Sequence, residues 1–368
     1  MMRQYNAKNE RIKYHYFDWL EHSKKGYKLT TIRSVRESLY RFDLFTGFKG
    51  YEHFNKDIAK AFKKQLLNTP SQQTGGVLSK SYVLQVSKYT MGFLEWLCLQ
   101  PSYKGKVRYH EIEYLSLSRE DKAIAAATTP RRWIATDQIV NAIKPMPYGT
   151  PVEKRNKALM SLLSLTGARI NALISLKLKH IDMSDRCIHQ HPNAVRTKNR
   201  KRIRTYFFPI DNVCFESINS YVEFLIREKG FSSDDPIFPR NKVGESPVSV
   251  TELDNVHWKS TGSARNIIKK ALASVGIQGY CPHSFRNSLV QLAYKKCRTP
   301  EQFKAWSANL GHKNVITTFS SYGHIDEFKQ GDIMKEFSDS KETNSNSDEA
   351  IVLKQIASIL IQKEYNDV

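Results

Sequence analysis

The stretch VEKRNKALMSLLSLTGARINAL, residues 152–173, decides how we interpret the chain. Its apolar positions recur at the three- and four-residue steps of a buried helix, and Gly167 is the residue type that commonly ends one. Arg169 follows two residues later. An arginine after a glycine turn is usually a surface residue. Whether Arg169 has a functional role therefore has to be judged from the rest of the chain.

The sequence before this helix indicates a small all-helical domain. Apolar and aromatic residues recur with helical spacing, with Lys and Arg between them, in four segments that are separated by glycine or polar turns. These segments are residues 11–23, 30–47, 57–69 and 79–99. We expect a helical domain over residues 1–118 and a linker over residues 119–133, where a Thr-Thr-Pro turn interrupts a stretch with no clear apolar face.

After the helix predicted at residues 152–167, the spacing of the apolar residues changes. Residues 181–210 are rich in β-favouring side chains and predict a small antiparallel sheet, and helical spacing resumes at residue 215 and continues to about 337. The second domain, residues 134–337, is therefore expected to be mainly α with a small antiparallel β-sheet, an α+β fold. For residues 338–368 we expect a polar tether and a short amphipathic helix, suited to docking on a neighbouring subunit or on its own domain.

Charge and cysteine content restrict the class of protein. The 57 Lys and Arg exceed the 36 Asp and Glu, and the net charge of +21 predicts a polyanionic partner, which could be DNA, RNA or an acidic membrane surface. Five cysteines without a CxxC pair indicate reduced thiols. Since no apolar run is long enough to span a membrane, we expect a soluble, cytoplasmic protein associated with the nucleoid and without membrane partners.

Three more segments place basic or nucleophilic side chains beside turns: RTKNRKR at 196–202, PHSFRN at 282–287 and LGHKNVITTFSSYGH at 310–324. Their roles become coherent if the target is a phosphodiester. Arg169 and Arg286 could pair with the nonbridging oxygens, where negative charge builds up during in-line displacement. Tyr322 could attack phosphorus and stay attached, because a phenol is both a usable nucleophile and a reasonable leaving group.

The departing sugar oxygen needs a proton. Lys198 or Lys201, in a predicted hairpin, could supply it. His283 and His312 could move protons or donate hydrogen bonds to the phosphate. For each of these side chains the ordinary structural role is the alternative, namely phosphate attraction for a lysine and core packing for a histidine.

Five elements in this order, T-G-x-R, a hairpin T-K, H-x-F-R, L-G-H and a Tyr ten residues later, resemble the tyrosine recombinases, also called phage-type integrases. The resemblance covers residues 135–330 for the catalytic domain, and residues 5–115 look like the family's helical core-binding domain. By position it implies this catalytic set: Arg169, Lys198 with Lys201 as a substitute, His283, Arg286, His312 and Tyr322.

The resemblance also implies a site-specific DNA recombinase, active in integration or excision, that closes around duplex DNA and assembles four subunits there. Its intermediate would be a 3′-phosphotyrosyl bond, formed without metal, ATP or any cofactor. One position departs from the family pattern, because Ala172 stands where an acidic residue is usual, three places after the first arginine. We expect this change to tune activity and not to abolish it.

Other hypotheses remain at this point. Cys187, His189 and His191 alternate along a predicted strand, and a zinc site is one interpretation of this pattern, although no fourth ligand is visible in the sequence. A DNA-binding module that has lost catalysis is a second possibility. A type IB topoisomerase, which shares the tyrosine chemistry, is a third.

Overall fold

The computed structural model describes the following residues: 5–23, 26–71, 75–126, 132–191, 194–196, 202–242, 252–312, 330, 331 and 334. Contacts within the chain divide it into two compact units, Met1–Thr128 and Thr129–Val368. Among the described residues, no helix combines the length and the apolar character that a membrane crossing requires.

The first unit contains the four helices that the sequence predicts. Asparagine or serine side chains accept hydrogen bonds from the first turns of three of them, as expected of helix starts. The apolar faces bury a core rich in aromatic rings, including Phe42, Phe62 and Phe93. The helices are α1 (Ala7–His22), α2 (Leu29–Thr46), α3 (Lys56–Asn68) and α4 (Lys80–Leu97).

Two shorter helices complete this unit, α5 (Tyr109–Ile112) and α6 (Arg119–Ala126). Helix α6 lies in the first half of the predicted linker and is attached to α4. Lys80 forms an ion pair of 2.9 Å with Asp121, and Ser81 donates to the carbonyl of Ala125. None of its side chains is buried. The apolar pattern that would have predicted a helix is therefore absent from its sequence.

A buried charge cluster joins α1 to α2. The Lys13 ammonium lies 2.6 Å from the Asp43 carboxylate, whose side chain has no exposed surface, and the Tyr51 hydroxyl donates to the other carboxylate oxygen at 2.7 Å. Burial raises the pKa of Asp43, and the hydrogen bonds from Lys13 and Tyr51 oppose that rise. The two donors therefore offset part of the cost of burying this carboxyl group.

Replacing Lys13 with methionine is expected to lower the free energy of unfolding of this unit by about 3–5 kcal/mol, because Asp43 would stay buried without its cation. Urea unfolding, with hydrogen exchange of α1 and α2 to locate the loss, measures the effect. Lys64→Met, at an exposed position of α3, is the matched control. A loss no larger than that of the control would contradict the assigned role of the ion pair.

The second unit is built around one buried helix, α8 (Pro151–Thr166), which the opening stretch of sequence predicts. Thr150 and Glu153 form a capping box at its start, and every residue from Ala158 to Thr166 is buried. The other helices of the unit are α7 (Thr136–Ile143), α9 (Ile170–Leu173), α10 (Asn212–Arg227), α11 (Gly262–Ala273), α12 (Pro282–Lys296) and α13 (Pro300–Asn309).

Two small antiparallel sheets belong to this unit. The first has the order β1 (Ile181–Asp182), β2 (Cys187–Gln190), β3 (Ile203–Tyr206) and confirms the sheet predicted within residues 181–210. The second pairs β4 (Pro239–Asn241) with β5 (Leu253–His257). The prediction of unbroken helical structure after residue 215 is wrong here. A three-residue strand is too short to show a period, and its partner lies further along the chain.

Candidate active site

Gly167 ends α8 and places Arg169 at the start of α9. Its φ is +55°, and a Cβ at this position would lie 2.7 Å from the Leu289 Cδ1 atom, so both backbone conformation and space require glycine. Arg169 caps α9 with extended backbone and is half-buried. No hydrogen bond or ion pair of its guanidinium is found among the described residues.

Arg286 lies in the first two turns of α12 and is only 3% exposed. Its Nη1 donates to the carbonyl of Gly167 at 3.1 Å, its Nη2 donates to the carbonyl of Leu310, and its Nε donates to His312 Nε2 at 3.3 Å. These acceptors come from the ends of two other helices, and all three are neutral. They fix the guanidinium in position.

His312 is positioned by the end of α13. Gly311 has a φ of +73°, a Cβ there would lie 2.9 Å from Ile203 Cδ1, and the His312 amide returns to the carbonyl of Ser307 at 3.1 Å. Burial, then the charges of Arg286, Arg169 and His283, lowers the pKa of His312 to about 3. The ring is therefore neutral near pH 7. Because Nε2 accepts from Arg286, the proton of the neutral ring is assigned to Nδ1.

The lowered pKa makes stability depend on pH. As pH falls from about 6.5 towards about 3, His312 binds a proton in the unfolded state but not in the folded state. The free energy of unfolding of the wild type therefore decreases over this pH range. His312→Asn should reduce the difference in unfolding free energy between pH 7 and pH 5 by about 1 kcal/mol, allowing for partial exposure of the ring. Urea unfolding at both pH values measures this. If the difference in unfolding free energy between pH 7 and pH 5 is the same in His312→Asn as in the wild type, His312 is not held neutral by the fold.

A cleft of about 180 Å³ is lined by three of the predicted site residues, Arg169, His283 and Arg286. His283 is in the first turn of α12, beside the cleft wall formed by Gly167 and the exposed Cys281. His312 reaches this group through its hydrogen bond to Arg286. The cleft thus concentrates positive charge and hydrogen-bond donors, as a site for a phosphate group requires.

Sequence reasoning missed Arg265, which also lines this cleft. It lies in the first turn of α11, where its Nε donates to the Thr261 hydroxyl at 3.2 Å. Gly262 precedes Arg265 in the run TGSAR, but the spacing is one residue longer than in TGAR at residues 166–169, so the motif that pointed to Arg169 does not select Arg265. The packing of α11 brings Arg265 to the cleft.

Asn309 joins the sheet to the segment that carries His312. Its side chain accepts from the Tyr206 amide at 2.7 Å and donates to the Tyr206 carbonyl at 2.9 Å, and its own carbonyl accepts from the Thr205 hydroxyl at 3.1 Å. Strand β3 follows the predicted lysine hairpin directly. A shift of strand β3 would therefore move Asn309 and, with it, the turn that precedes His312.

Some predicted residues lie outside the described part of the chain, namely Lys198, Lys201, Tyr322 and the tether and helix of residues 338–368. Ala172 is described and is 1% exposed, with its amide donating to the Arg169 carbonyl at 2.8 Å. An acidic side chain at this position would be buried beneath the arginine. That its replacement by alanine tunes activity remains a prediction.

Comparison with known proteins identifies a family for this chain. The model of the phage integrase family matches residues 132–328. The tyrosine recombinase XerC of Roseiflexus castenholzii is 24% identical over 226 residues, 60% of this chain and 62% of that protein. The XerC of Bacillus pumilus is 21% identical over 324 residues, 86% of this chain and 92% of that protein. The chain therefore spans about three fifths of the Roseiflexus relative and most of the Bacillus one.

A solved structure also resembles this one, the XerH site-specific recombinase bound to a palindromic difH substrate in a post-cleavage complex. The TM-score is 0.61 at 15% identity, over 84% of this chain and 81% of that one. At this identity the likeness concerns the fold alone. It confirms the predicted fold class, mainly helical with small antiparallel sheets.

Proposed function

Because the chain belongs to the phage integrase family, whose model matches residues 132–328, we propose that it is a site-specific tyrosine recombinase, an enzyme that cuts and rejoins DNA strands. The observation that supports this most is the cleft in which Arg169, His283 and Arg286 meet, with His312 hydrogen-bonded to Arg286. The net charge of +21 suits duplex DNA as the partner.

In the proposed reaction the phenol of Tyr322 gives its proton to His283 or to solvent, and its oxygen attacks the scissile phosphorus in line. The bond between Tyr322 and phosphorus forms as the bond from phosphorus to the 5′ oxygen breaks, and Lys198, or Lys201 in its place, protonates the leaving oxygen. A 3′-phosphotyrosyl link and a free 5′-hydroxyl result. The 5′-hydroxyl of a second strand then reverses the step, so the energy of the phosphodiester is kept and no ATP is consumed.

Arg169 and Arg286 stabilise the charge on the nonbridging oxygens in this proposal, which assigns no catalytic metal and no other cofactor. Neutral His312 holds Arg286 through Nε2 and presents its Nδ1 proton, and His283 donates a second hydrogen bond from the start of α12. A guanidinium that is already fixed by Gly167 and Leu310 needs no rearrangement when phosphate enters.

Strand exchange requires several subunits, and we propose that four assemble on DNA. The amphipathic helix that the sequence predicts within residues 338–368 would dock on a neighbouring subunit in this assembly. Sedimentation of the protein on site DNA measures the number of subunits. Four subunits support synapsis, whereas a monomer that relaxes supercoiled plasmid favours the topoisomerase alternative.

The deciding experiment is a covalent trap. Duplexes from the DNA that flanks the gene are nicked near the cleavage point, so that the cut end diffuses away and the protein stays attached. We expect an adduct that survives denaturation, with the nucleotide on the peptide containing Tyr322. Binding to the same duplexes without any adduct would favour the module that has lost catalysis.

A further inference from the structure

One face of the first sheet carries three side chains that bind transition metals. Asp182 on β1 lies opposite Cys187 on β2. His189, two residues further along β2, points to the same face as Cys187. One possible ligand atom from each of the three side chains lies within 4.8 Å of the others, and Cys187 Sγ is 3.6 Å from His189 Nε2.

These distances suit a common ligation sphere. Metal bonds of about 2.3 Å to sulfur and about 2.0 Å to nitrogen, at a tetrahedral angle, place the two ligand atoms about 3.5 Å apart. The observed separation of 3.6 Å between Cys187 and His189 requires almost no change. A carboxylate oxygen of Asp182 lies within 4.8 Å of both atoms.

The surroundings support the ligands. Arg204, which is opposite His189 on β3, donates from Nε to Cys187 Sγ at 3.4 Å, which orients the sulfur on this face of the sheet. Asp182 Oδ1 accepts from the Asp185 amide at 2.8 Å, which orients the carboxylate. Cys187 is buried while Asp182 and His189 are half-buried, so an ion can approach from the solvent side.

We propose that Asp182, Cys187 and His189 bind a divalent transition metal ion of the zinc type. One thiolate, one carboxylate and a neutral imidazole balance the charge of a divalent ion, and sulfur with nitrogen favours zinc over magnesium or calcium. Water fills the fourth position. The sequence pattern suggested His191 as the third ligand, but β2 ends at Gln190 and the described cluster uses Asp182 of the adjacent strand.

Such an ion would connect β1 to β2 at the base of the chain segment that carries Lys198 and Lys201. None of the three ligands lines the cleft of Arg169 and Arg286. The site therefore stabilises the sheet and takes no part in phosphate chemistry. It does not depend on the proposed recombinase activity.

The test uses the full chain after removal of metals with a chelator. Titration with Co²⁺ should produce a thiolate-to-cobalt charge-transfer band that saturates at one equivalent and is displaced by Zn²⁺. The band should vanish in Cys187→Ser, and affinity should fall at least about 10-fold in His189→Gln. Cys281→Ser, which removes an exposed thiol, is the matched control and should keep the band.

Two results would overturn the site, namely the absence of the band in the wild type and its persistence in Cys187→Ser. Since Cys187 is buried and its serine variant could fold poorly, thermal unfolding provides an independent readout. Zn²⁺, but not Mg²⁺, should raise the Tm of the wild type and leave that of His189→Gln and Asp182→Asn unchanged. An equal rise in these half-exposed variants would also refute the proposal.

Discussion

Replacing Tyr322 with phenylalanine is expected to abolish the covalent DNA adduct completely. Phenylalanine keeps the ring and its packing but lacks the oxygen that forms the bond to phosphorus, and no other phenol is assigned to that position in the proposed reaction. Noncovalent affinity for the same duplex should change by no more than about 2-fold, because binding rests on the basic groups of the protein. Gel mobility before and after denaturation measures both quantities.

The matched control for this substitution is Tyr109→Phe, at an exposed tyrosine of the first unit, which should form the adduct at the wild-type rate. If Tyr322→Phe still forms an adduct, Tyr322 is not the nucleophile. If the wild type, Tyr109→Phe and Tyr322→Phe all bind DNA but none of them forms an adduct, the chain is a binding module. The two results are distinguishable in a single gel.

Replacing Arg286 with lysine is expected to slow adduct formation about 100-fold or more. Lysine retains the charge but cannot donate at once to the Gly167 carbonyl, the Leu310 carbonyl and His312 while facing a phosphate. Single-turnover rates on the nicked duplex measure the loss. Affinity for DNA should fall much less than the rate, because a guanidinium aimed at the reacting phosphate acts mainly in the transition state.

Arg227→Lys, at an exposed position in the last turn of α10, is the matched control and should react like the wild type. Circular dichroism and thermal unfolding of Arg286→Lys separate a catalytic defect from loss of fold, since this arginine is buried. A well-folded Arg286→Lys protein with a normal rate would contradict the role that we assign to the guanidinium.

Much of the helical framework could be predicted because its signals are local. The four helices of the first unit follow from the spacing of their apolar residues, and α8 with its glycine end follows from residues 152–167. Helix α6 and the pair β4 and β5 could not be predicted in the same way. The first buries no side chain of its own, and the strands exist because each provides hydrogen bonds to the other.

For the candidate site too, local signals could be predicted from the sequence, whereas contacts between distant residues could not. Short motifs predict Arg169, His283, Arg286 and His312 as site residues, because turn glycines and helix starts can be recognised from the residue types next to them. The motifs do not reveal that Arg286 donates to a carbonyl 119 residues away, that burial keeps His312 neutral, or that Arg265 joins the cleft. Each of these properties depends on neighbours that are distant in the chain.

The sequence by itself thus determined the family resemblance, the order of the helices and the chemical types of the site residues, since periodicity, turns and charge are properties of nearby residues. Only the tertiary structure decided which groups touch. It placed Asp182 beside Cys187 and His189 where the sequence suggested His191, because ligands on neighbouring strands are selected by register and not by spacing along one strand. It also lowered the pKa of His312, because desolvation and neighbouring charges arise only when the chain folds.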